Sequence, residues 1–377
     1  MAPLSLQVSV HDGPLEALAA DWRTLIDPAH PGALFRSYPW VSAWWRHAAA
    51  GLEPYVLVAR ERGRGHPVAL LPLYLEPTFL GGQRLRIMAD DIVGSDYVGI
   101  AGRGVDEARA ARAFAAHIAE RRFDDVYVDG LLAGDPLAAT LAPLPRATVT
   151  PRYLCPRVVA RGSFDAYLAA LPDGTGPQWR RRRRWLERQP GFAIETLAEP
   201  QTVEDGLELL LHLHHARWAD RSEAIDDDRV ERFHREALRG LARMGWVRIH
   251  VLRVGGEPAA ALYGFRHGDR FAFYQAGRDP RWRARAVGTV LLGAVIERCF
   301  TEGLAEFDFL RGDEAYKSRW STSIRETVAV RVRGPSVRAA VGSQARSAWL
   351  GCRALAKSVL GPEAVDGLRR VRGLLRF

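Results

Sequence analysis

Cysteine is scarce: three residues in 377, at Cys155, Cys299 and Cys352. An odd number at such wide spacing argues against a disulfide framework and against a cysteine-based zinc site. Long apolar runs are missing as well. No window reaches the roughly eighteen uncharged residues that a bilayer-spanning helix needs. The opening stretch, MAPLSLQVSVHDGPLEALAADW, has no basic n-region and no long apolar core, so no signal peptide is expected and the expected compartment is the cytoplasm. There is no G-x-S-x-G elbow, no Walker loop, no G-x-G-x-x-G after a strand and no H-E-x-x-H. Those absences turn the reading away from serine hydrolases, P-loop enzymes, dinucleotide-binding folds and zincins, and no metal site is expected. Acid is outnumbered too: 44 Asp and Glu face 53 Lys and Arg, for a net charge of +9 and a pI near 9.9. Most of the excess is arginine. Such a surface attracts anions, among them nucleic acid, acidic membrane and phosphorylated ligands.

What is present is an ordinary folded composition, 47% hydrophobic and 26% charged, in a chain long enough for two or three domains. Strands and helices alternate in two similar blocks. In the first, LQVSV reads as a strand and LFRSYPWVSAWWRHAAA as a helix started by Ser37 and Pro39. PYVLVARER and HPVALLPLYLEP form a hairpin around GRG, and DYVGIAG and DVYVDG flank a helix from Val105 to Arg121. Periodicity thins from Leu131 to Pro156, which places a domain boundary at 150/151. In the second block, SFDAYLAAL and QWRRRRRWLERQ are helices, the latter stopped by Pro190 and Gly191. Strand FAIETLA, two helices, strands WVRIHVLRV, PAAALYGFRHG and RFAFYQAGR, the apolar helix VGTVLLGAVIERCF, and strands EFDFL and TVAVRV complete it. Antiparallel strands followed by a helix and a further strand give a mixed α/β sheet. Residues 334–377, basic from Arg338 to Arg376 against only Glu363 and Asp366, read as a helical tail. It either covers part of the domain or makes peripheral contact with an anionic membrane or partner.

The stretch EFDFLRGDEAYKSRW concentrates the chemistry. Strand alternation puts Phe307 and Phe309 on a packing face and Asp308 on the other, with Glu306 and Leu310. A carboxylate in a central strand needs a partner, and Arg311 or Lys317 is the expected one. Two readings of Asp308 stand side by side: a buried ion pair holding the strand end, and direct chemistry. After Gly312, Asp313 caps a short helix on which Asp313, Tyr316, Lys317 and Trp320 share one face. A carboxylate, a phenol, an ammonium and an indole beyond a strand end suit a polar acyl acceptor and a leaving group that needs a proton.

These residues carry a resemblance. FDFLRGDEAYKSRW looks like the hallmark of the CelD/BcsL-like branch of the GNAT acyltransferases, also called the BioF2-like acetyltransferase domain. LFRSYPWVSAWW, QWRRRRRWLERQPGF, LHHARW and RDPRWRARAVGTVLL resemble further elements of that group, in the same order, over roughly residues 35 to 333. The group is similar to the FemABX peptidyltransferases, so the resemblance implies two tandem GNAT-like domains, 1–150 and 151–333. It implies acyl transfer to an amine or hydroxyl of a small molecule or saccharide precursor. The donor is acetyl-CoA or another acyl-CoA, with aminoacyl-tRNA as the alternative and a non-catalytic scaffold in polysaccharide biosynthesis as a third reading.

Site residues follow on the matching positions. Asp308 or Asp313 orients or deprotonates the acceptor, Tyr316 protonates the leaving thiolate, and Lys317 with Arg311 holds negative charge. Trp320, His214, Arg217, Trp218, Tyr274 and Gln275 line the substrate side, with a strand N–H of FYQAG polarising the carbonyl. The family's pyrophosphate loop is degenerate here, RWRARAVGT, leaving Arg283, Arg285, Gly288 and Thr289 as the anion site at a helix start. Arg180, Arg183 and Arg184 either bind phosphate beside Trp179 and Trp185 or form a solvated basic helix.

Overall fold

The computed structural model describes residues 5–63, 65–78, 82–89, 93–121, 123–218, 228–312 and 314–335, with side chains left undescribed from 214 to 218. The described residues form a thirteen-stranded mixed sheet. Its first-half strands are β1 (Leu6–His11), β2 (Glu53–Glu61), β3 (Pro67–Pro77), β4 (Gln83–Ile87), β5 (Ala101–Gly102) and β6 (Asp125–Leu132). The second half supplies β7 (Ala147–Val159), β8 (Ala193–Leu197), β9 (Val247–Val254), β10 (Glu257–His267), β11 (Arg270–Arg278), β12 (Glu306–Asp308) and β13 (Ser323–Arg333). Their spatial order is β1-β2-β3-β4-β6-β13-β7-β12-β11-β10-β9-β8, with β5 paired to β3.

Local chemistry explains most elements. PVALLPLYLEP is a near-continuous apolar run, and β3 is accordingly covered on both faces. The expected helix after Ser37 starts there, over Tyr38–Ala48 with Pro39 in its first turn. DYVGIAG departs from the expected strand, and only Ala101–Gly102 is one. The cause is Arg36, a buried cation whose guanidinium takes the carbonyls of Tyr97 (3.0 Å), Ile100 (3.1 Å) and Val98 (3.3 Å). Glu107 and Asp135, each 2.6 Å away, balance its charge. Backbone oxygens taken by an arginine are lost to a strand ladder. The loop passes through left-handed conformations at Tyr97 (φ 56°) and Gly99 (φ 146°), and a Cβ at Gly99 would stand 2.7 Å from the Arg36 guanidinium.

Between Leu131 and Pro156, where periodicity thins, the structure has a helix, Pro136–Leu141, and the long strand β7. β7 is exposed on both faces over most of its first half, so no hydrophobic alternation marks it. β13, the last of the described strands, lies antiparallel between β6 and β7 and joins the two halves into one sheet. The expected boundary at 150/151 falls inside β7. Of the expected basic helical tail, 334–377, everything beyond residue 335 lies outside the described residues.

The second-half sheet has two unlike faces. The apolar helix Val287–Thr301 covers one, packing with Phe271, Phe273, Phe307 and Phe309. Phe271 and Phe307 stack at 5.4 Å between centroids. Each such ring, fully buried, contributes about 2–3 kcal/mol. Helix Thr175–Glu187 lies against this helix through Trp179, whose indole donates to the Val290 carbonyl at 3.1 Å. The opposite face carries Asp308, Arg325 and Cys155 beneath the first-half loop.

Candidate active site

β11 and β12 run parallel for only three residue pairs, Arg270↔Glu306, Phe271↔Phe307 and Ala272↔Asp308. β12 then stops, while β11 continues along β10 to Arg278. The β10–β11 register slips between Tyr263 and Gly264, leaving Tyr274 as an extra residue on β11. A bulge of this kind bends and twists its strand, and here the two strands part. On the free edge, the Ala276 N–H takes the Gln275 side-chain oxygen at 3.0 Å in place of a neighbouring strand. The Tyr274 hydroxyl donates to the Val93 carbonyl at 2.5 Å, and its ring lies 5.2 Å from His234 and 5.5 Å from Trp40.

At the end of β12, Asp308 is 3% exposed. Its Oδ1 accepts from the Leu310 N–H (2.8 Å) and the Tyr97 hydroxyl (3.2 Å), and its Oδ2 from Arg325 (2.7 Å). Arg325 also donates twice to Glu306, at 2.9 Å each, and Arg157 reaches Glu306 at 2.6 Å. Burial, reinforced by Glu306 and opposed by Arg325, pushes the Asp308 carboxyl up to about 7. Glu306, with more cation contact, is held below its ordinary value by Arg325 and Arg157 against its own burial. Tyr97 is raised well above the usual phenol range, first by burial and then by Asp308, so it remains a donor.

The charge partner of Asp308 is thus Arg325, a correction to the expected Arg311 or Lys317. Arg311 instead serves Asp96, through its backbone N–H (2.8 Å) and its Nε (2.6 Å), and lies 4.2 Å over the Tyr153 ring. Lys317 is 5% exposed; its Nζ donates to the Arg311 carbonyl at 2.5 Å and pairs with Glu314 at 2.9 Å. The expected single face of the short helix divides. Over Ala315–Trp320, Lys317 and Trp320 point inward and Tyr316, 37% exposed, points outward. Asp313 and the side chains of His214, Arg217 and Trp218 lie outside the described residues.

On the other side of the parting, helix Val287–Thr301 begins at Ala286, in a left-handed conformation, with no side-chain cap. The N–H groups of Thr289 and Val290 bond back to the Ala286 carbonyl, and Gly288 sits between them and the helix start. Arg283 and Arg285 are exposed there without an ion pair among the described residues, and Arg285 lies 3.8 Å over the Trp185 ring. Arg180 and Arg183 are engaged elsewhere: Arg180 pairs with Asp165 (2.6 Å), Arg183 with Glu187 (2.8 Å) and Glu297. Arg184 donates to the Arg180 carbonyl at 3.4 Å.

The structure therefore brings Asp308, Arg311 and Lys317 together with Tyr97 and Asp96 of the first half and Arg325 of β13, none of the three being foreseen. DYVGI reads locally as a strand, and no periodicity reveals that a distant arginine turns it inward.

Residues 177–318 match the family described as acetyltransferase (GNAT) domain, a stretch that spans the parting strands, the bare helix start and the Asp308 turn. No curated protein matches the chain. Among solved structures, FemX is similar at 10% identity and a TM-score of 0.55, over 85% of this chain and 96% of that one. The C-terminal domain of a putative lysylphosphatidylglycerol synthetase from Agrobacterium fabrum is similar at 12% identity and a TM-score of 0.52, covering 85% and 93%. A conserved protein of unknown function from Bacteroides thetaiotaomicron is similar at 14% and 0.53, covering 87% and 100%. At these identities the likeness is one of fold. No helix among the described residues is long and apolar enough to cross a membrane.

Proposed function

We propose that the protein is a GNAT-type acyltransferase, of the CelD/BcsL-like kind, that moves an acyl group from an acyl-CoA to an amine or hydroxyl of a small molecule or saccharide precursor. The carrying observation is the parting of β11 from β12 beside an uncapped helix start flanked by Arg283 and Arg285. Helix N–H groups and arginines suit a pyrophosphate. The free edge of β11 suits an extended pantetheine arm, and its N–H groups suit the oxyanion that forms when the acceptor attacks the thioester carbon.

Transfer is direct: the acceptor nitrogen or oxygen bonds to the carbonyl carbon, and the C–S bond breaks as the tetrahedral adduct collapses. Tyr316, 37% exposed on the short helix after the Asp308 turn, protonates the departing thiolate. Asp308 is covered by Tyr97 and bonded to the Leu310 N–H, so it positions the turn that carries Tyr316. Asp313, between Gly312 and Glu314 in the chain, is left to take the acceptor's proton. Arg311 and Lys317 are engaged by Asp96, Glu314 and the turn's own carbonyl, which supports a positioning role for both.

Calorimetry with acetyl-CoA and longer acyl-CoAs tests the reading: saturable binding of at least one is expected, and none would sink it. Once turnover is found, Tyr316→Phe should lower kcat by roughly 100-fold or more with little change in KM, on the scale of general acid catalysis. Unchanged turnover would remove Tyr316 from the mechanism. Aminoacyl-tRNA is the second donor to test, because Arg181, Arg182 and Arg184 form no ion pair among the described residues and would suit an acceptor stem. Loss of activity on RNase treatment would favour it over CoA.

A further inference from the structure

A cavity of about 40 Å³ lies between β8–β11 and the last turns of helix Val287–Thr301. It has room for roughly three waters or one small ion. Thr196 from β8, Arg248 and His250 from β9, Arg266 from β10, and Arg298 and Glu302 from the helix end line it. Arg298 stands eleven positions beyond Val287, roughly 16 Å along the axis, so the cavity is separate from the proposed CoA cleft.

Its charges do not balance. Glu302 pairs with Arg266 at 2.8 Å and is the one carboxylate among the described residues in ion-pair contact with any of the three guanidiniums; Glu199 acts on Arg248 only from further off. Arg298 donates to the Thr196 hydroxyl, and Arg248 donates to the carbonyls of Gly245 (2.8 Å) and Val247 (2.7 Å). A helix C-terminus accounts for one nearby cation through its dipole, and three exceed that need. Burial and then Arg266, against Glu302 and Glu199, lower the affinity of Arg248 for its proton, and burial with Arg298 and Arg248 pushes His250 down to about 3. His250 is therefore neutral, 4% exposed, with Nδ1 2.9 Å from the Thr196 hydroxyl. Half-buried guanidiniums from three elements, a hydroxyl and a neutral imidazole around one cavity form a donor-rich, anion-poor shell.

We propose that this cavity binds a tetrahedral dianion, either inorganic phosphate or the phosphate end of a monoester. The test is thermal unfolding of the full chain in rising phosphate, against chloride at matched ionic strength, with methyl phosphate as a second arm. A ligand that binds only the folded state raises Tm saturably. Saturation by inorganic phosphate alone assigns a free-ion site; saturation by both assigns a site open to monoesters, and either upholds the proposal. Arg298→Gln should weaken the response roughly tenfold, the loss of one charge-assisted hydrogen bond, and Thr196→Val serves if that variant fails to fold. Arg285→Gln, at the CoA cleft, should keep the response. No shift beyond chloride, or a shift lost in Arg285→Gln and kept in Arg298→Gln or Thr196→Val, overturns it.

Discussion

Asp308 and Glu306 share one guanidinium, unequally. Glu306 takes both ends of Arg325 and adds Arg157, whereas Asp308 takes a single 2.7 Å bond. The consequence is a sign. A carboxyl raised to about 7 holds a proton in the fold that the unfolded chain releases near pH 4. Its contribution to stability is complete below that lower value and is lost as pH rises through about 7. Glu306, held low, contributes in the opposite sense, above its unfolded value. Asp308→Asn keeps an acceptor for the Leu310 N–H and removes the titration. Its Tm is therefore expected to fall less steeply than that of the wild type between about pH 4 and 7. Superimposable Tm–pH curves would refute the raised value. The sequence marked Asp308 as a buried carboxylate in need of a cation. It did not mark Arg325, because that choice is made by the β12–β7–β13 pairing, which brings residues 306–308 and 325 together across separate strands.

Among elements, the helix Val287–Thr301 shows how a single missing methyl sets a packing distance. A Cβ at Gly293 would fall 2.2 Å from the Trp179 indole nitrogen, so helix Thr175–Glu187 can lie this close only over glycine. At Gly288 the nearest atom to such a Cβ is 3.6 Å away. Gly293→Ala is thus expected to cost roughly 1–3 kcal/mol in urea unfolding, the usual cost of overpacking, and Gly288→Ala close to nothing. Equal effects would undo this account of the helix pair. Elements whose own side chains decide them were legible: the β2–β3 hairpin, the Ser37 helix start, the apolar helix. The 96–100 stretch was not, because Arg36, about sixty residues away in the chain, takes its carbonyls.

At the scale of the whole molecule, the two-block rhythm was readable but the seam was not. TVAVRV reads as the second block's last strand, and nothing in it says that β13 also completes the first block by pairing with β6. Removing residues 323–377 strips a partner from both β6 and β7 and leaves two inner strands as open edges. The shortened chain is expected to lose the cooperative unfolding transition in both halves, monitored by circular dichroism. A first half that still melted cooperatively would show that β13 is dispensable to it.

The position of β13 also fixes the order of events while the protein is made. Val128 pairs with Val330, so 330 − 128 = 202 residues must be synthesised after the first strand before its neighbour exists. At about 5–20 residues per second on the ribosome, the nascent N-terminal half waits roughly 10–40 s with an apolar strand uncovered. It cannot complete its sheet as it emerges, as an N-terminal domain ordinarily would. Its success in the cell rests on that edge being shielded until β13 has been made.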